Sequence, residues 1–251
     1  MKKAIKPLLV ILVLVLGISV LGFKKNIHLT GMHVYDTEHF TIYYETLGPK
    51  ALNDIETKLE TSYPIMQDFF SLNSAQKGKV VVYASVERFQ RAYLGIFLSF
   101  LYDDWASGAA YQDLVLIASP ENPGTQHTYE DILATAVHEY SHTLVYQQNE
   151  MLDIWLDEGV ATFLSGQKSQ LPPTVPAFDA MQEQDLNTFL ENDGYAFSYS
   201  YVEYLVKVYG NEKVVELIRS NDYEGTFDKP ALDVYNEWAS YVGTERSAQD
   251  E

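Results

Sequence analysis

Two periodicities alternate along this chain. In "HFTIYYE" from His39, the residues Phe40, Ile42 and Tyr44 fall on one face at a spacing of two, which predicts a strand. From Pro49, "PKALNDIETKLETSYPIMQDFF" spaces Leu52, Ile55, Leu59 and Tyr63 for a helix that has proline at its start and can kink at Pro64. The apolar runs "KVVVYAS" from Lys79 and "GAAYQDLVLIASP" from Gly108 predict two more strands, the second ended by Pro120. "TYEDILATAVHEYSHTLVYQ" returns to helical spacing. Thr128 and Asp131 stand at capping-box distance, and Leu133, Val137, Tyr140 and Leu144 form one apolar stripe. A further apolar-patterned segment, "DIWLDEGVATFL", carries Trp155, Leu156, Val160, Phe163 and Leu164, and its Gly159 would let this helix approach the preceding one closely.

Pro172, Pro173 and Pro176 then break the pattern and predict a loop between an α+β lobe, residues 26–164, and a helical carboxy-terminal lobe, residues 165–251. In that second lobe "YSYVEYLVKVYG" runs to Gly210, "EKVVELIRS" follows, and "LDVYNEWASYV" precedes a polar tail. Strands come first and helices later, an α+β order. The chain contains neither an internal repeat nor a low-complexity tract.

Residues 1–25 differ in kind. Lys2, Lys3 and Lys6 precede an apolar run from Pro7 to Phe23, the pattern of an export signal peptide or an amino-terminal membrane anchor. Either reading places the remainder outside the cytoplasm, secreted or held at the cell membrane. That segment holds five of the 17 basic residues and none of the 35 acidic ones, which leaves the rest with a formal charge of −23. Such a surface repels phosphate backbones, so nucleic acid is excluded as a partner. With no cysteine in the chain, disulfides and thiolate ligands are excluded as well, and any metal must be held by histidine and carboxylate.

"HEYSH" supplies that chemistry. His138 and His142 lie four apart, so on a helix their imidazoles project from successive turns toward one point. Zinc takes nitrogen ligands in this way, and Glu139 beside the first histidine would face the open coordination position as general base and then general acid. Val145 and Gln148 stand where a metzincin would have its glycine and third histidine, which excludes that class. Glu158 is the candidate third ligand, with Asp157 as the neighbour it could be confused with. His28, His33, His39 and His127 read as surface or structural residues.

"HEYSH" followed by "WLDEGVA" resembles the gluzincins, the thermolysin-type and aminopeptidase-type metallopeptidases of the MA clan, and within them the small "peptidase MA-like" domains. "YAFSYSYVEYLVKVYG" is similar to the third element of those domains, and the resemblance spans roughly residues 108–241. It implies a zincin-like, thermolysin-type fold: a small mixed sheet with an antiparallel edge strand and an active-site helix, followed by a helical lobe. It also implies one Zn²⁺ per chain on His138, His142 and Glu158, and a peptide or protein substrate seated on the edge strand near Ala109 to Leu114. Clan aminopeptidases hold the substrate amine with a glutamate on that strand. Gly108, Ala109, Ala110, Tyr111 and Gln112 include none, which points to an endopeptidase. The oxyanion needs a donor, and no histidine follows His142. The resemblance gives Tyr195 that role first and Tyr199 second. The competing expectation is an extracytoplasmic module that keeps the fold and binds polypeptide without cutting it.

Overall fold

The computed structural model describes residues 27–72, 77–95 and 106–249, so the export or anchor segment, residues 1–25, lies outside the described residues. Five strands form one sheet: β1 (His33–Asp36), β2 (Phe40–Tyr44), β3 (Gly78–Tyr83), β4 (Gly108–Tyr111) and β5 (Leu114–Ala118), in the order β1-β2-β3-β5-β4. β2, β3 and β5 run parallel, while β1 and β4 pair antiparallel at the two edges. Val80, Val81 and Val82 of β3, and Val115, Leu116, Ile117 and Ala118 of β5, are fully buried. Unbroken apolar runs of this kind belong to parallel strands covered on both faces, whereas β2 keeps its alternation, burying Phe40 and Ile42.

The helix α1 (Pro49–Phe70) carries the chain from β2 to β3 and continues through Pro64, burying Ile55, Leu59, Tyr63 and Met66. α2 (Val86–Tyr93) follows β3 and is N-capped by Ser85, whose hydroxyl accepts from the Arg88 N–H. After the sheet come α3 (Tyr129–Gln148), α4 (Ile154–Ser165), the short α5 (Phe178–Gln182) and α6 (Leu186–Glu191), then α7 (Gly194–Tyr209), α8 (Asn211–Ser220), α9 (Tyr223–Phe227) and α10 (Ala231–Gln249). Every described strand precedes residue 119, so the α+β order and the small mixed sheet with an antiparallel edge strand are both present. One continuous apolar core joins Val80 and Ile117 of the sheet to Trp155, Phe197 and Trp238 of the helices. Among the described residues no helix is long and apolar enough to cross a membrane.

Three sequence expectations change. "GAAYQDLVLIASP" is not one strand but a hairpin, because Gln112 adopts φ 57° and, with Asp113, turns the chain between β4 and β5. The polar tail after "LDVYNEWASYV" continues the helix, since α10 runs to Gln249. Gly159 does allow a close approach, but by α7 rather than by α3. A Cβ there would stand 2.7 Å from both the Ser198 carbonyl oxygen and Val202 Cγ2.

Backbone cannot yield as a flexible side chain can, so Gly159→Ala is expected to cost about 1–3 kcal/mol through overpacking. At this size that lowers the melting temperature by about 2–4 °C for each kcal/mol. An unchanged calorimetric transition would show that α7 shifts without penalty.

Candidate metal centre

α3 starts from a complete capping box: the Thr128 hydroxyl accepts from the Asp131 N–H at 3.2 Å, and the Asp131 carboxylate accepts from the Thr128 N–H at 2.7 Å. Leu133, Val137, Tyr140 and Leu144 are buried as the stripe predicts, and Ile132, Ala136 and Val145 are buried too, so α3 runs through the interior. Its one polar stripe faces a cleft of about 1090 Å³ between the β4 edge, α3, α4 and α7.

His138 and His142 enter this cleft from successive turns, with their Nε2 atoms 3.1 Å apart. α4 brings Glu158 to meet them, its Oε2 lying 3.3 Å from His138 Nε2 and 3.7 Å from His142 Nε2. The three side chains are 12%, 13% and 17% exposed. On the far side of each ring sits an acceptor. The Asp157 carboxylate accepts from His142 Nδ1 at 2.7 Å, and Gln167 Oε1 accepts from His138 Nδ1 at 2.8 Å. Both rings therefore carry their proton on Nδ1 and point an Nε2 lone pair inward. Glu158 Oε2 is buried and, apart from these two ring nitrogens, has no hydrogen-bond partner. Three lone-pair donors facing one point repel each other unless a cation lies among them. The donor set therefore fits a metal ion, and His138, His142 and Glu158 are the residues that could hold it.

Without a metal, the same surroundings favour a proton in its place. Burial alone would raise the Glu158 carboxyl, but His142 and His138 outweigh it and hold Glu158 well below the usual carboxylate range. His142 shows the converse: burial would lower it, yet Asp157 and Glu158 push it well above the ordinary imidazole value. In the absence of a metal the site gathers a proton instead.

Glu139 does not join the triad. Its carboxyl is raised by burial, partly offset by His138, His142 and the nearby backbone amide of Ala110. Ser107 turns its carbonyl toward β5, where it accepts from the Ala118 N–H at 2.8 Å. Alternation along β4 then aims the N–H and C=O of Gly108 and Ala110 at the free edge, consistent with the Ala110 contact to Glu139. Gly108 is required here. A Cβ on it would stand 2.4 Å from Thr135 Cγ2 and 3.1 Å from Glu139 Cγ.

Of the two candidate tyrosines, only Tyr195 reaches the cleft. Its ring packs edge-on to Phe189 at 5.1 Å, and burial, with Glu158 and Glu139 nearby, raises its hydroxyl far above the usual phenol value. Tyr199, one turn later, packs against Phe163 at 5.8 Å and lies under the Lys168 ammonium at 5.5 Å. Sequence reasoning did not find Gln167 or Tyr93. Gln167 is set by the helix end, where Gly166 at φ 73° turns the chain and the Gln167 N–H donates to the Thr162 carbonyl at 3.0 Å. Ser165 Oγ donates to the same Gln167 oxygen at 2.9 Å. Tyr93 lines the cleft from α2. His39 is structural, accepted by Glu60 at 2.6 Å and stacked on Tyr63 at 3.8 Å. His127, in contrast, lines the cleft.

No protein-family model matches the chain, and no curated protein matches it as a relative.

Because a bound metal must displace the proton gathered at His142, affinity for a divalent probe such as Co²⁺ is expected to weaken as pH is lowered and strengthen as it is raised, by about tenfold per unit for one proton exchanged. Removing the acceptor behind His142 in Asp157→Ala should weaken the same binding by about 10–100-fold. Competition with a chromophoric chelator measures both, and affinity independent of pH and of Asp157 would place the ion elsewhere.

Proposed function

We propose that this protein is a zinc-dependent peptidase acting outside the cytoplasm, with His138, His142 and Glu158 holding one Zn²⁺ and Glu139 as general base and then general acid. The observation that carries the proposal is the meeting of two Nε2 lone pairs and an otherwise unpartnered carboxylate oxygen at 3.1, 3.3 and 3.7 Å. A tetrahedral ion with bonds of about 2.0–2.1 Å keeps its ligands about 3.3 Å apart, so the spacing suits zinc. Two histidines and one glutamate are the protein ligands of hydrolytic zinc sites that keep a position open. Zinc bound there would supply Lewis acidity, polarising a carbonyl and making water acidic near neutral pH.

The chain's own groups do the rest. Glu139 sits in the same cleft with its carboxyl raised by burial, so it takes a proton more readily than an exposed glutamate. It would take the proton of the attacking water and deliver it to the leaving amine, with the Ala110 amide nearby. The Tyr195 hydroxyl, kept protonated by its raised pKa, would donate to the developing oxyanion. The free edge of β4 offers main-chain groups at Gly108 and Ala110 to an extended peptide, which binds by strand addition with little demand on side chains. β4 carries no carboxylate to hold a substrate amine, which favours cleavage within a chain over removal of its first residue.

Glu139→Gln is expected to keep one zinc per chain and lose about 10²–10⁴ in kcat. Tyr195→Phe should lose about 10²–10³ with zinc and substrate affinity retained, and Tyr199→Phe should lose almost nothing. Metal analysis and peptide products from a proteome digest check these outcomes. Identical product profiles for wild type and Glu139→Gln would instead identify a non-cleaving binding module, and a purified chain that takes up no zinc would end the metal reading.

A further inference from the structure

Apart from its histidines, the charged side chains of the cleft are all acidic. Among the described residues that line it there is no lysine or arginine, whereas Glu139, Glu150, Asp157 and Glu158 all contribute carboxylates. Three of these already have work in the metal centre. Glu150 has none.

Glu150 is exposed on the rim just after α3, and the backbone around it is anchored. Asn149, the residue that ends α3, donates from Nδ2 to the Ile218 carbonyl at 2.9 Å, and its Oδ1 accepts from the Met151 N–H at 2.9 Å. The last turn of α3 contains no basic residue, so the negative end of the helix dipole adds to the Glu150 charge. Arg219, which reaches the same helix end, donates to Gln148 Oε1 at 2.8 Å and does not line the cleft. The same cleft is lined by apolar and aromatic side chains: Tyr146, one turn before Glu150 in sequence and 44% exposed, Leu152, two residues after it, and Leu186 of α6, 39% exposed. A carboxylate on an anchored stretch of backbone, in a cleft that also offers apolar and aromatic surface, matches a side chain with an apolar stem and a cationic tip.

We infer that Glu150, with Tyr146 and Leu186, forms a subsite that selects lysine or arginine in the bound polypeptide, so that the substrates of this cleft are basic peptides. The inference rests on the peptide reading above for its ligand class but not on cleavage. The full-length, zinc-loaded Glu139→Gln protein, which would hold substrate without turning it over, allows binding to be read by itself. Three fluorescent peptides of one apolar sequence, differing only in a central Lys, Gln or Glu, should bind in that order with steps of about tenfold at low salt. The steps should shrink in 0.5 M NaCl, as expected of charges near a solvent-exposed rim. Adding Glu150→Lys should invert the ratio of Lys to Glu peptide affinities.

Equal binding of the three peptides, no binding of any, or an order unchanged by Glu150→Lys would overturn the inference. Cleavage by the wild type is scored separately. Turnover without a charge order keeps the peptidase and removes the subsite, and a charge order without turnover keeps the subsite and removes the peptidase.

Discussion

Three lone pairs aimed at one point in a half-buried cleft form the constraint on which the rest of this molecule depends. Left alone, His138 Nε2, His142 Nε2 and Glu158 Oε2 are an electrostatic cost, and the fold keeps them together only by restraining each from behind. Gln167 and Asp157 fix the two rings, and the close seating of α7 against Gly159 fixes the helix that presents Glu158. The tension is relieved by a positive charge. Whether that charge is a proton or a metal decides how the cleft behaves.

The sheet serves the same end from the other side. β4 is a short edge strand, and its inward pairing to β5 leaves Ala110 to meet Glu139. The capping box at Thr128 and Asp131 sets where α3 begins, and so the turn on which His138, Glu139 and His142 appear. Helix start, edge strand and glycine contact thus converge on a volume only a few residues wide, though they come from segments far apart in the chain.

Much of this was legible in the sequence because it rests on local geometry. A spacing of four on a capped helix puts two imidazoles on one face wherever that helix lies, and Glu158 was recognisable from its apolar neighbours. Contacts that depend on how helices meet were not legible. Gly159 announced a close approach and pointed to the preceding helix, α3, but α7 proved to be the partner. Tyr195 and Tyr199 share a helix face in sequence. One turn, about 5.4 Å along the axis, separates a cleft residue from one packed on Phe163 and Lys168. Gln167 gave no signal at all, since only the left-handed turn at Gly166 swings it back to His138. The Gln112 turn was readable in principle from two polar residues between apolar runs, yet strand propensity on both sides masked it.

Alternation along β4 turns the main-chain groups of Gly108 and Ala110 to the open side of the strand, at sites separated by two residues. Under the peptidase reading proposed above, a guest strand pairing there would slide only in dipeptide increments, because a single-residue slip sets donor against donor and turns every side chain to the opposite face. Its reading frame would then be quantised by the host backbone, before any of its side chains is inspected.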